Sequence, residues 1–218
     1  MASESLCEQA YKYIFEQITK YHFKPNDPII ENEIGKELCI SRTPLREALR
    51  RLEADGLVYK IRNRGTYVRS FSSEDIVEIC EIRSVFELYS LRRCVERVTD
   101  EELIALRDEL TSLANDAPAD SYYNCDIKLH KLIMNFCMNS RMLSILNTLN
   151  LQLELFRRVS ASTPHRLEKS KDEHLQIISA LLARDYDRAH ALLTLHLENV
   201  KDSTIKAFQQ LKYTAEYH

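Results

Sequence analysis

The sequence predicts a mainly α-helical protein, and three observations support this fold class. Only three glycines and five prolines occur in 218 residues, a composition typical of long helices joined by short loops. Apolar residues recur at three- and four-residue steps along most of the chain, which is the period of a helix that buries one face. The exception is a pair of β-rich runs, LVYKI and TYVRS, within residues 57–70. A small sheet is therefore expected near the amino end, with helices on both sides of it.

A short helix is predicted to begin after Ser41. Ser41 is a favourable N-cap, Pro44 falls in the first turn where its missing N–H costs nothing, and Gly56 stands just past the last turn. One face of this helix carries the apolar residues Leu45, Ala48, Leu49 and Leu52. The adjacent face carries Arg42, Arg46 and Arg50, which recur every fourth residue. The helix is thus expected to pack inward with its leucines and to present guanidinium groups beside them.

Taken alone, the arginines are most simply explained as solvated side chains of a surface helix. The surroundings of this helix favour a DNA-binding function instead. A second short helix is predicted at 31–38, and residues 39–41 form a tight connection, which gives helix, turn, helix. The two β-rich runs flank residues 62–65, a hairpin whose glycine suits a positive φ. Between Arg42 and Arg69, eight Lys/Arg face three Asp/Glu in a chain of net charge −3. A winged helix-turn-helix accounts for all of these features.

This region resembles the GntR family of bacterial transcription regulators. The matching residues are 41–49, then Arg51-Leu52-Glu53, Gly56-Leu57-Val58 and Arg64-Gly65, within roughly the first 70 residues. The resemblance implies that a double-stranded DNA operator is the partner, with the second helix in the major groove and the wing tip near the minor groove. The implied DNA-binding residues are Ser41, Arg42, Thr43, Arg46, Arg50, Asn63, Arg64 and Gly65.

Two domains are expected, a DNA-binding domain at residues 1–70 and an all-α domain at residues 74–211. The first 70 residues carry 12 Lys/Arg against 10 Asp/Glu, whereas the remainder carries 18 against 23. An acidic second domain would be repelled by a polyanion, so it is expected to have a function different from that of the first domain. Its apolar periodicity predicts six antiparallel helices with short connections. The predicted helices are 74–97, 100–114, 118–138, 141–159, 165–183 and 185–211.

The chain is expected to be cytoplasmic. It has no long apolar run that would cross a membrane, and its amino end lacks the basic and apolar regions of a signal peptide. Its six cysteines show no C-x-x-C pair and no compact framework, so free thiols are the simplest interpretation. No membrane partner is expected.

Four polar residues fall on faces of the predicted helices that are otherwise apolar. Asp126 and His130 are four residues apart on one helix, while His174 and His196 align with aliphatic residues on two others. Each placement taken singly is more often a hydrogen-bonded core residue than a ligand. Three helices that point such groups inward favour a shared site, because a buried charge or imidazole needs a partner. One carboxylate and three imidazoles suit a divalent transition metal, namely zinc, nickel or manganese.

The second half is similar to the FCD effector domain that follows the winged helix in one large GntR subgroup. Six helices rather than seven make it more like the VanR-type branch, and the four polar residues stand where metal ligands are expected. Arg83 lies in a core-facing row and has two open interpretations: a clamp for an effector carboxylate, or an internal pair with Glu87. Effectors of the family are often small organic acids.

The sequence therefore predicts a homodimeric, ligand-responsive transcriptional regulator, and specifically a repressor of a catabolic operon. It would sense a small carboxylate, such as a sugar acid, through a metal-containing pocket. Two alternatives belong to other classes. A metal-dependent hydrolase-like enzyme would use the Asp/His cluster to activate water, although no positioned general base is visible. A structural helical adaptor would hold the same cluster as a satisfied polar network.

Overall fold

The computed structural model describes residues 4–114, 117–161, 163 and 165–216. Three strands lie among these residues, β1 (Pro28–Ile29), β2 (Val58–Ile61) and β3 (Gly65–Val68). Helices of the amino-terminal part are α1 (Leu6–Thr19), α2 (Glu31–Glu37) and α3 (Arg42–Ala54). Those that follow are α4 (Ser73–Arg97), α5 (Asp100–Ser112), α6 (Ala119–Met134), α7 (Ser140–Ser160), α8 (Arg166–Leu182) and α9 (Tyr186–Glu216). The predicted fold class is confirmed: a winged helix-turn-helix precedes an all-α unit of six helices, counted over the described residues.

The chain divides into two compact units. The first comprises residues up to Ser72 together with Thr148–Leu155 of α7, and the second comprises the rest of the described chain. The predicted boundaries, 1–70 and 74–211, differ from this division mainly in the assignment of the α7 segment. The domain boundaries stay a prediction.

The core of the first unit forms where α3 packs on α1. The apolar residues of α3 named above are all buried, and they meet a buried face of α1 that includes Ala10 and Ile14. Gly56 has φ +73°, the left-handed conformation that the predicted helix end required. Ser41 occupies the N-cap position with extended backbone angles, but its side chain makes no capping hydrogen bond.

The wing is an antiparallel three-stranded sheet with strand order β1-β3-β2. Val58 pairs with Val68, and Ile61 pairs with Gly65 at the turn. Asn63 and Gly65 both have positive φ, of 60° and 113°, so the tight turn depends on two residues that tolerate this region. The tip of the wing therefore has a defined backbone shape.

The second unit has a core of aliphatic side chains drawn from α4, α5, α6, α8 and α9. Two of its helices begin at side-chain caps: Thr99 forms a capping box with Glu102 at α5, and the Asn139 side chain accepts two backbone N–H groups at α7. The predicted helix 118–138 was too long, because α6 ends at Met134 and a turn follows it. Helix α9, in contrast, continues to Glu216 instead of ending at 211.

Two further expectations concern the whole chain. All six cysteines are free thiols, and four of them are buried. Over the residues that the structure describes, every helix is too short or too polar to traverse a lipid bilayer.

Candidate functional site

The structure brings Asp126, His130, His174 and His196 together in the interior of the second unit. Each residue offers one ligand atom, and the four atoms lie within 4.8 Å of one another. All four side chains are buried, and His196 is fully so. Asp126 and His130 lie one turn apart on α6, while α8 and α9 contribute one histidine each.

The distances within this cluster resemble those between ligand atoms of one ion. The Nε2 atom of His196 lies 3.2 Å from Nε2 of His130 and 3.2 Å from Nε2 of His174. Oδ1 of Asp126 lies 3.6 Å from Nε2 of His130 and 3.4 Å from Nε2 of His174. Donor atoms about 2.1 Å from a zinc-sized ion stand at comparable separations from one another.

Two carboxylates, the buried Glu87 and the partly buried Glu173, fix the orientation of two of these imidazoles. Nδ1 of His130 lies 2.6 Å from Oε2 of Glu87, and Nδ1 of His196 lies 2.7 Å from Oε2 of Glu173. When a carboxylate accepts a hydrogen bond from the Nδ1–H group, the Nε2 atom of a neutral ring keeps a free lone pair. The two lone pairs then face each other across 3.2 Å with no proton between them. A cation resolves this repulsion, so the residues present fit a divalent transition metal.

The two carboxylates are in turn held by cationic and amide groups. Arg83 donates from Nε to Glu87 over 2.7 Å. Glu173 receives the guanidinium of Arg166 over 3.0 Å and the side-chain amide of Asn199 over 2.8 Å. This arrangement, in which an ion pair stands behind each carboxylate, is the common support for metal-binding imidazoles.

The electrostatics keep the carboxylates charged and two imidazoles neutral. Burial would raise the pKa of Asp126, but Arg157 and His130 outweigh it and hold that pKa well below its usual range. Burial likewise opposes ionisation of Glu87, yet Arg83 and His130 lower its pKa to about 2. Burial and the neighbouring His196 hold the pKa of His174 well below its usual range, and burial lowers the pKa of His196 to about 4. Neutral imidazoles and ionised carboxylates are the forms that bind metals.

In this structure Arg83 forms the internal ion pair that was one of its two interpretations. Its Nε atom forms the internal ion pair with Glu87, and the side chain is 2% exposed. Its Nη2 atom is buried without a hydrogen-bond partner among the described residues. Arg83 does not line the cavity beside the cluster. The clamp interpretation therefore stays a prediction.

A cavity that is partly open to solvent adjoins Asp126 and His174. Three basic side chains that the sequence did not single out line it, namely Arg157, Arg166 and Lys171. Arg157 Nε lies 2.6 Å from Asp126 Oδ2. The segment around it, LELFRRV, also contains Glu154 and Arg158, so nothing in the sequence indicated that Arg157 points inward.

The predicted DNA-binding residues are all exposed on the first unit. Arg42 donates to the amide oxygen of Asn32 over 3.2 Å, and Arg46 pairs with Glu31 over 2.9 Å. Within the described part of the chain, Arg50 and Arg64 form no ion pair, so their guanidinium groups are available to phosphate. The helix and the wing thus present two separate groups of arginines.

Two family models match the chain. Residues 6–68 match the model for bacterial regulatory proteins of the gntR family, and residues 78–199 match the FCD domain. The Nta operon transcriptional regulator of Aminobacter aminovorans is 29% identical over 188 residues, which cover 85% of this chain and 88% of that protein.

Solved structures agree with these matches. A GntR transcriptional regulator from Rhodococcus sp. RHA1 has the same fold, with a TM-score of 0.73 at 21% identity over 93% of this chain and 99% of that one. The Zn²⁺-bound FCD domain of a protein named TM0439 gives a TM-score of 0.56 at 25% identity, and the alignment covers 63% of this chain and 96% of that domain.

Proposed function

Because the chain belongs to the gntR family of bacterial regulatory proteins and carries an FCD domain, we propose that it is a metal-dependent repressor of a catabolic operon that responds to a small carboxylate. Regulators of this family bind DNA and are not enzymes. Membership of this family therefore argues against the hydrolase-like enzyme and the structural adaptor.

DNA recognition is assigned to the helix α3 and the tip of the wing. Arg42, Thr43 and Arg46 would contact base edges or phosphates in the major groove, with Ser41 and Arg50 beside them. Asn63, Arg64 and Gly65 would approach the minor groove from the wing. The ion pair between Arg46 and Glu31 and the hydrogen bond between Arg42 and Asn32 hold both guanidinium groups before DNA arrives, which lowers the entropy lost on binding.

The observation that carries the effector half of the proposal is the convergence of three Nε2 atoms and one carboxylate oxygen on one point. Asp126, His130, His174 and His196 would hold zinc, nickel or manganese, while Glu87 and Glu173 keep two of the rings in the ligating tautomer. When bound, such an ion supplies a Lewis-acidic centre to which a carboxylate oxygen can coordinate. The adjoining cavity gives a small organic acid access to that point.

Homodimer formation is proposed through the exposed face of α4. Ile82, Val85 and Tyr89 form an apolar stripe with exposures of 36%, 61% and 44%. Glu78 lies seven residues before Val85 and Arg92 lies seven residues after it, and both are exposed. If two copies pair antiparallel about Val85, each Glu78 faces Arg92 of the partner subunit. The stripe is thus self-complementary, as a two-fold interface requires.

The decisive experiment measures binding of the protein to DNA fragments from its own upstream region by fluorescence anisotropy. Zinc-loaded protein is expected to bind one fragment specifically and to release it when a sugar acid or short carboxylate is added. A repressor whose affinity changes about 10-fold needs a coupling free energy of about 1.4 kcal/mol. His174→Ala should still bind the fragment but no longer respond, and His190→Ala serves as the matched control. A protein that ignores every fragment at modest ionic strength contradicts the proposal.

A further inference from the structure

The cavity next to the histidine cluster has an uneven distribution of charge. Of the described side chains that line it, Arg157, Arg166 and Lys171 are basic, and Asp126 is the one carboxylate. Asp126 already pairs with Arg157 over 2.6 Å. On the wall formed by α8, Arg166 pairs with Glu173 outside the cavity lining, so Lys171 is the basic side chain of the lining that remains to be considered.

Lys171 differs from the other two basic residues in its contacts. Arg157 and Arg166 each pair with a carboxylate, from Asp126 and Glu173 respectively. The ammonium of Lys171 donates to the backbone carbonyl of Leu113 over 2.6 Å, and over the described ranges it has no ion pair. A neutral carbonyl satisfies one of the three N–H donors of an ammonium group and leaves its charge uncompensated.

Lys171 also lies on the same face of α8 as His174 of the cluster. It lies three residues before His174 on α8, which places the two side chains on one face, about 4.5 Å apart along the helix axis. Ser170, whose hydroxyl is a further donor, lines the same wall. One end of the cavity thus meets the cluster, and the half-buried ammonium stands one helical turn away.

We propose that the effector carries two anionic groups and that Lys171 binds the second one. This inference rests on the proposed function, in which the first carboxylate lies at the Asp126 and His174 end. A second carboxylate or a phosphate would complete the coordination of the ammonium with a charge-assisted hydrogen bond. A monoanion of the same length has no second anionic group, so the Lys171 ammonium stays hydrogen-bonded to the carbonyl of Leu113. The monoanion therefore gains no affinity from Lys171.

The experiment compares matched acids that differ in one anionic group. Zinc-loaded protein is titrated calorimetrically with succinate against butyrate, and with 3-phosphoglycerate against glycerate, at constant ionic strength. At least 10-fold tighter binding of the dianion is expected in one pair or both. A preference confined to succinate identifies a carboxylate subsite, and a preference confined to 3-phosphoglycerate identifies a phosphate subsite.

Three variants assign the preference to the residue. Lys171→Met should reduce the preference to less than 2-fold and keep butyrate or glycerate binding, while Lys171→Arg should retain the preference. Lys169→Met, an exposed lysine on the same helix, is the matched control and should behave as the unchanged protein. Zinc content and melting temperature are measured for each variant, and Lys171→Gln replaces Lys171→Met if the latter does not fold.

Failure of this inference differs from failure of the proposed function. Equal affinity for both members of each pair, or a preference that survives in Lys171→Met, overturns the second subsite and leaves carboxylate sensing intact. Absence of binding by all four acids counts against both.

Discussion

Nδ1 of His130 lies 2.6 Å from Oε2 of Glu87, inside a region where both side chains are almost fully buried. The other carboxylate oxygen of Glu87 contacts Nε of Arg83 over 2.7 Å. One carboxylate therefore orients an imidazole of the cluster and compensates the charge of a buried guanidinium at the same time. Both functions depend on its remaining ionised, which the low pKa of about 2 ensures near neutral pH.

Removal of the charge on Glu87 should be costly. Glu87→Gln preserves the volume of the side chain but leaves the Arg83 guanidinium buried without a counter-charge. We expect a loss of about 3–5 kcal/mol in the free energy of unfolding, measured with urea in chelator-treated protein. Glu198→Gln, at an exposed position of α9, should change it by less than about 0.5 kcal/mol. Similar values for the two variants would mean that the buried ion pair contributes little.

Metal content tests the predicted ligand set. Protein purified without chelator should contain about one equivalent of zinc, nickel or manganese, and chelation should lower its melting temperature because a bound ion stabilises the folded state. His174→Ala should lose most of this metal. The ring of His190 lies beside that of Tyr186, away from the cluster, so His190→Ala should keep the metal. Metal bound equally by both variants would place the site elsewhere.

The stability of the metal-free protein should fall as the pH decreases from about 6.5 to about 4. The pKa of His174 is held well below its ordinary value, and that of His196 is lowered to about 4. In this window the unfolded chain binds protons at these histidines that the folded protein does not, so acidification favours unfolding. Asp126 and Glu173, whose pKa values are also lowered, add to the loss at still lower pH. Melting temperatures recorded in chelator from pH 7.5 to 4 check this, and a flat profile contradicts it.

Substitution of Arg46 should weaken specific DNA binding. Arg46→Ala removes a guanidinium from the exposed face of α3, and a loss of about 1–3 kcal/mol in binding free energy is expected. The preference at one base pair of the operator should also become weaker. Arg107→Ala, in the other unit, also removes an exposed arginine and should leave the footprint unchanged. An operator footprint that Arg46→Ala does not alter would remove this residue from the recognition surface.

A charge placed in the α4 stripe should disrupt the dimer. Val85→Glu puts a carboxylate at the centre of the proposed two-fold interface, where each copy would face the other, and burying two like charges is unfavourable. Light scattering coupled to size-exclusion chromatography should show a shift from dimer to monomer. Met138→Glu alters a residue outside α4 that is 72% exposed, and it should leave the mass unchanged. A dimer that persists in Val85→Glu would locate the interface on another surface.

The fold was largely predictable from the sequence because its helices obey simple local rules. The buried residues of α3 occupy the apolar positions that its period indicated, and Gly56 adopts the positive φ that its place after the helix required. Helix ends were less predictable. Residues after Met134 continue the apolar period of α6, but Cys137 is buried from within a turn, so periodicity alone did not reveal where the helix stops.

The cluster was predictable for a different reason. A histidine or aspartate on an apolar helix face stands out against its neighbours, and His174 and His196 were visible in that way. The support that Glu87 gives to His130 and Glu173 gives to His196 was not predictable, because both are ordinary glutamates in a sequence rich in charge. Their role depends on which helices pack together, and Lys171 became a candidate only when the structure placed it on the wall of the cavity.

The donor set of the cluster contains nitrogen and oxygen but no sulfur, even though four thiols are buried in the same protein. Imidazole and carboxylate groups are inert toward peroxide under conditions that convert a metal-bound thiolate to a disulfide or sulfenic acid. Occupancy of this centre should therefore follow metal supply and acidity, and oxidative stress should leave it unchanged.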